Sequence, residues 1–253
     1  MGISSQKALL FDSTRCIGCG ACYVACKQVN RLPPAQENFL DEKLSAASVT
    51  VVNQRNGRFV RRLCMHCQNP TCVSVCPVAA LEKTVEGPVI YHADRCMGCR
   101  YCMQACPFNV PTYEWNQTQP RIKKCTMCYE RVKQGKSTAC AEVCPTGATL
   151  FGNRDELIEE ARARIRAHPA QYINHIYGLQ EVGGTSVLVL SDVPIETLGY
   201  PTHVGTEPLP MLTWEVLRKI PNFVVVGSVL LGGIWWITKR RVEVQRAEQQ
   251  EEV

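Results

Sequence analysis

Sixteen cysteines stand in four runs of four, with none left over. The runs are Cys16, Cys19, Cys22 and Cys26; Cys64, Cys67, Cys72 and Cys76; Cys96, Cys99, Cys102 and Cys106; and Cys125, Cys128, Cys140 and Cys144. The first and third are spaced C-x2-C-x2-C-x3-C, the ligand loop of a bacterial-type [4Fe–4S] cube. At four thiolates per cube, the chain has ligands for four clusters. Such a set moves single electrons, which takes a row of redox centres and no acid, base or nucleophile.

Other uses of these cysteines fit less well. Disulfides between residues two apart would close very small loops. Structural zinc takes two CxxC pairs separated by a longer loop, whereas the first and third runs follow each pair at once with two more cysteines. No Gly-rich phosphate loop or dinucleotide fingerprint occurs. His66 lies inside the second run, which already has four thiolates, so it reads as a supporting donor or as packing. His92, His168, His175 and His203 are scattered, and none has a partner at metal spacing. Arg15 and Arg95 each precede a cysteine loop. Each reads equally as a charge that tunes a cluster and as a solvated side chain. No catalytic residue is expected in this chain.

The runs are related by an internal repeat. Phe11 to Cys19 matches Tyr91 to Cys99 at constant offset. The second and fourth runs instead share the ending Cys-Pro-x-x-Ala, and carry insertions at Gln68 to Thr71 and at Tyr129 to Ala139. The order is therefore A-B-A-B, two ferredoxin-like modules in an α+β fold. Three closely spaced cysteines wrap one cube, and the fourth points to its neighbour. Pro77, Pro107 and Pro145 should end the turns that carry those fourth cysteines. Gly18 and Gly98 suit a backbone that comes close to a cube. Spacing alone leaves two pairings open. Run one joins run two and run three joins run four, or run two joins run three with run one and run four nested around them.

The composition sets the remaining bounds. With 253 residues the chain suffices for one or two domains. Its formal charge of +5 counts the cysteines as neutral, so it is no argument for nucleic acid. The expected layout is a double ferredoxin-like domain over 1–151, a helix-and-strand extension over 152–200, a linker over 201–219, a transmembrane helix over 220–238 and a charged tail over 239–253. Within the extension, Asn153 to Ala167 has an N-cap and an apolar stripe, and Thr185 to Leu190 reads as a strand. Ile220 to Thr238 is 19 residues without charge, about 28 Å of helix against a hydrocarbon core of about 30 Å. Trp235 and Trp236 stand at its end, followed by Lys239, Arg240 and Arg241. A buried core helix is the rival reading. Arg218 and Lys219 on the near side face four basic residues beyond, Arg246 included, so the positive-inside bias places the C-terminus in the cytoplasm. No secretory signal is seen in Met1 to Phe11.

Four such runs, the fourth with its insertion, resemble the four-cluster iron–sulfur (beta) subunits of molybdopterin oxidoreductases from Phe11 to about Phe151. Ile176-Tyr177-Gly178, Gly183-Gly184-Thr185 and a C-terminal span look like the beta subunit of membrane-bound formate dehydrogenase. They are similarly close to the iron–sulfur subunit of membrane-bound nickel–iron hydrogenase, although that subunit typically carries an export signal of its own. The resemblance implies nested pairing. Cys16, Cys19, Cys22 and Cys144 would hold cluster 1, and Cys125, Cys128, Cys140 and Cys26 cluster 2. Cys64, Cys67, Cys72 and Cys106 would hold cluster 3, and Cys96, Cys99, Cys102 and Cys76 cluster 4. It further implies a large catalytic partner holding molybdopterin or nickel–iron, an integral membrane quinone-reducing partner, and a place in the bacterial inner membrane with the clusters on the periplasmic face.

Overall fold

A computed structural model describes residues 6–118 and 120–251. Residues 1–5, part of the stretch in which no signal was seen, lie outside the described residues, as do 252–253 of the tail. The chain divides into two compact units, Met1–Pro210 and Met211–Val253.

The first unit is organised by strands that flank the cysteine runs. β1 (Lys7–Asp12) leads into run one, whose last cysteine lies in α1 (Ala21–Val29). A hairpin follows, β2 (Val51–Arg55) with β3 (Arg58–Arg62). Run two holds α2 (Thr71–Ser74) and is followed by β4 (Leu81–Lys83). β5 (Val89–Tyr91) leads into run three, which holds α3 (Tyr101–Gln104). Next come the short hairpin of β6 (Thr112–Tyr113) and β7 (Ile122–Lys123), then α4 (Tyr129–Lys133) and α5 (Ala139–Glu142) of run four. β8 (Thr149–Asn153), α6 (Arg154–Ala167) and β9 (Val187–Leu190) complete the unit.

Proline decides the length of these helices. Runs two, three and four close with Cys-Pro, and α2, α3 and α5 each stop at four residues. Proline has no N–H to continue the ladder. Run one closes with Cys26-Lys27 instead, and α1 runs on for nine residues. After each Cys-Pro the chain turns back through a left-handed residue: Ala79, Asn109 and Gly147.

β1 is the centre of a three-stranded sheet, antiparallel to β8 and parallel to β9. Both faces of this sheet are buried. Leu9, Phe11, Val187 and Val189 face the core that contains Cys64, Cys125 and Cys140. Ala8, Leu10, Leu188 and Leu190 face the other way, onto Leu157, Ala161 and Ile165 of α6. Alternation along each strand thus separates a thiol-bearing side from an aliphatic side. α6 begins where expected, with Asn153 as N-cap residue and its side chain bonded to Glu156 at 2.7 Å.

The second unit is helical. α7 (Leu209–Leu217) occupies part of the stretch read as a linker, and α8 (Ile220–Glu251) follows it. Pro208 and Pro210 lie at and just before the first turn of α7, and Pro221 in that of α8, where a missing N–H costs nothing. The stretch Leu209–Arg246 is long and apolar enough to cross a membrane. Its apolar side chains are exposed, among them Phe223, Leu231 and Trp236, so it is no buried core helix of this chain. At its charged end Lys239 lies over the Trp235 ring at 5.0 Å.

Candidate iron–sulfur sites

The strand register brings run one to run four and run two to run three. Phe11, five residues before Cys16, pairs with Thr149, five after Cys144. Tyr91, five before Cys96, pairs with Leu81, five after Cys76. The two pairings repeat one register, so the first run lies beside the fourth and the third beside the second.

The thiols nearest one another follow the same grouping. Burial pushes the Cys16 thiol up to about 11, and the neighbouring Cys22, Cys144 and Cys19 add to the rise. Burial likewise raises Cys26 to about 12, helped by Cys140 and Cys128 of run four. Cys67 is raised by burial and by Cys64, Cys106 and Cys72. Cys102 rises to about 11 through burial and through Cys96, Cys76 and Cys99. A thiol that resists ionisation alone, crowded by three others, is suited to a cationic iron centre that takes it as thiolate. Electrostatic influence also crosses between groups: Cys140 acts on Cys22, Cys64 on Cys125, and Cys102 on Cys72.

A cavity bounded by Cys16, Cys19, Cys22 and Cys144 is closed by Gly18, Thr149 and Arg61. Around the thiols the backbone supplies donors. Ala80 N–H points to Cys76 Sγ at 3.2 Å and Met127 N–H to Cys125 Sγ at 3.3 Å. The Asn30 amide reaches Cys26 Sγ at 3.4 Å. At Cys144 burial acts to raise the thiol, but N–H groups of Thr149, Thr146 and Ala148 with the Thr146 hydroxyl outweigh it and hold it low. Such N–H···S bonds stabilise thiolate and set cluster potentials. Among the described residues, no three His, Cys, Asp or Glu side chains converge closely enough for a single metal ion. The donor set and its surroundings fit cubes.

Gly18 and Gly98 have left-handed backbones, φ 68° and 76°. A Cβ at Gly18 would lie 2.3 Å from the Phe59 ring, and one at Gly98 2.9 Å from the Tyr113 hydroxyl. Each loop is thus capped from outside by an aromatic side chain. This is a close approach in addition to the one expected on the cube side.

The arginines singled out by position behave differently from one another. Arg15 is half exposed and lies 3.7 Å from Asp12, a buried carboxylate that also binds Arg164 at 2.9 Å and Tyr172 at 2.8 Å. Arg95 is exposed and reaches only the Ala79 carbonyl, at 3.5 Å. The buried cations include Lys27 and Arg164, and, among the cysteine runs, Arg61, Lys124 and, less completely, Lys83. Burial lowers Lys83 to about 8 against the pull of Cys67 and Cys64. None of these last three was singled out from the sequence. His66 is fully buried; its Nδ1 accepts from Val89 N–H at 2.9 Å, and its Nε2 has no protein partner. With Nδ1 accepting, the proton of the neutral ring sits on Nε2, which meets no acceptor among the described residues.

The comparisons with known proteins agree on the class. A family profile described as "4Fe-4S dicluster domain" matches residues 56–154, and another of the same description matches 15–80. A protein of Nitratidesulfovibrio vulgaris is 41% identical over the whole chain and 72% of its own length. The chain belongs to the 4Fe–4S dicluster iron–sulfur subunit family. Hydrogenase-2 operon protein HybA of Escherichia coli O157:H7 is 38% identical over 79% of this chain and 74% of its own. The nitrate-inducible formate dehydrogenase iron–sulfur subunit of Escherichia coli K12 is 38% identical over 73% of this chain and 67% of its own. For this family member, sixteen cysteines and two dicluster regions fit four [4Fe–4S] clusters. Homologues that are subunits of oxidoreductase complexes imply a catalytic partner. The two profile matches overlap over residues 56–80, whereas the strands pair β1 with β8 around the pair of β4 with β5.

Proposed function

We propose that this chain is the electron-relay subunit of a membrane-bound oxidoreductase complex, with the cubes held in nested sets. Cys16, Cys19, Cys22 and Cys144 hold cluster 1; Cys125, Cys128, Cys140 and Cys26 hold cluster 2. Cys64, Cys67, Cys72 and Cys106 hold cluster 3; Cys96, Cys99, Cys102 and Cys76 hold cluster 4. The observation that carries the pairing is the register of β1 on β8 and of β4 on β5. Electrostatic influence between the sets supports a linear order. Cys140 of set 2 acts on Cys22 of set 1, Cys64 of set 3 on Cys125 of set 2, and Cys102 of set 4 on Cys72 of set 3. Cys19 and Cys99 are the exposed cysteines, one in each terminal set. Electrons therefore pass into and out of the chain at those two loops.

The donor is a catalytic subunit of the formate dehydrogenase type holding molybdopterin, and the acceptor a quinone-reducing membrane subunit. A nickel–iron hydrogenase partner is the second reading, supported by the 38% identity of the hydrogenase-2 protein over 79% of this chain. The span Ile220 to Thr238 anchors the chain in the inner membrane, with the basic end cytoplasmic and the clusters periplasmic. Iron analysis tests the relay: about sixteen iron atoms per chain are expected, four per cube. A value near four, or stoichiometric zinc, rejects it. The metal of the co-purifying large subunit, molybdenum or nickel, decides between the two donors.

A further inference from the structure

Arg61 sits in β3 with 2% of its surface exposed, among the largest fully buried side chains of the protein. Its Nε donates to Thr50 Oγ1 and its Nη1 to Thr149 Oγ1, both at 3.3 Å. Among the described residues no carboxylate lies within ion-pair distance of it. Two hydroxyls alone would leave a buried guanidinium in a costly arrangement, because neutral oxygens do not balance a desolvated charge. Arginine cannot escape that cost by losing its proton, as a buried lysine can.

The anionic groups within reach are thiols. Arg61 lines the cavity bounded by Cys16, Cys19, Cys22 and Cys144. It is also a charged neighbour of Cys140, Cys125, Cys26 and Cys128. One cation therefore faces both sets of the outer module. A cube with four thiolates is anionic, and reduction by one electron makes it more so. A fixed positive charge in a poorly solvated interior favours the reduced form.

We propose that Arg61 is the shared counter-charge of clusters 1 and 2, and that it raises the reduction potentials of both. Arg61 keeps its proton throughout; only an electron arrives and leaves. It is a positioning residue that acts through charge. Arg15, tied to Asp12, does not have this role.

The inference rests on the nested sets proposed above, and one experiment separates the two. Arg61→Gln and Arg61→Lys are made in the full chain and purified with its partners. Iron content is measured, and midpoint potentials are read by EPR during redox titration. In Arg61→Gln two of the four potentials should fall while two stay, and Arg61→Lys should bring the pair back towards the parent values. If Arg61→Gln instead loses about half its iron while Arg61→Lys keeps it all, charge and not shape holds the outer cubes, and the inference stands. It is overturned if Arg61→Gln keeps all four potentials, if all four move together, or if Arg61→Lys behaves like Arg61→Gln. A parent protein without iron would reject the cube reading itself.

Discussion

Phe11 lies opposite Thr149, and all sixteen cysteines fall between the two in sequence. The same register recurs inside that stretch, where Tyr91 lies opposite Leu81. The inner module is therefore enclosed in sequence by the outer one.

Cys26→Ser should disturb the cluster held by Cys125, Cys128 and Cys140, and leave those of runs two and three intact. Cys26 lies among the thiols of run four. EPR of the reduced variant, with iron reduced by no more than about four atoms, checks this. Loss of a run-two signal instead would reject nesting.

Removing residues from Ile220 onward should free the chain from membranes while leaving its visible absorption unchanged. The span has no protein cover of its own. Fractionation without detergent is the measurement, and a truncated chain that stays in the membrane pellet argues for anchorage through a partner.

Stripping iron should unfold the inner module before the outer one. Its regular structure is little more than β4 with β5 and β6 with β7, strands of two or three residues. Its buried core is Leu81, Val89, Cys102 and Ile122. So small a core does not hold a fold without its cross-linking metal. The outer module keeps a three-stranded sheet backed by α6. Hydrogen exchange after chelation should show Leu81 to Tyr113 open first, and equal protection in both modules would contradict this.

Leu188→Ala should cost about 2–5 kcal/mol of stability, as expected for truncating a fully buried leucine. It should leave all four cluster potentials in place. Leu188 faces α6, on the side of the sheet away from the thiols. Thermal unfolding alongside EPR titration reads both; a shifted potential would mean that the two faces are not separate.

Ligands, repeat and span were legible because each is written in adjacent residues. The spacing from Cys16 to Cys26 is local, as are the α6 pattern and the uncharged stretch from Ile220. Pairing of the runs was not, since Cys26 and Cys140 meet only through a sheet whose strands are far apart in sequence. Arg61 was hidden for a related reason. Its neighbours in sequence are other arginines and a turn, and its burial comes from Thr50, Thr149 and two cysteine loops supplied from elsewhere. The helix over Leu209–Leu217 was masked by the prolines around it, Pro208 and Pro210, which break a helix interior but are tolerated in a first turn.

Nesting also dictates an order of manufacture. With the sets proposed above, the inner pair of loops is complete on a ribosome once Cys106 has emerged, while Cys16 waits for Cys144; β1 waits for both β8 and β9. Domains tend to fold as they are synthesised. Iron can thus be loaded into the inner half while the outer half is still an open chain with Cys16, Cys19 and Cys22 unclaimed. The strand that closes the sheet, Val187–Leu190, comes last and acts as a latch on a chain already half filled.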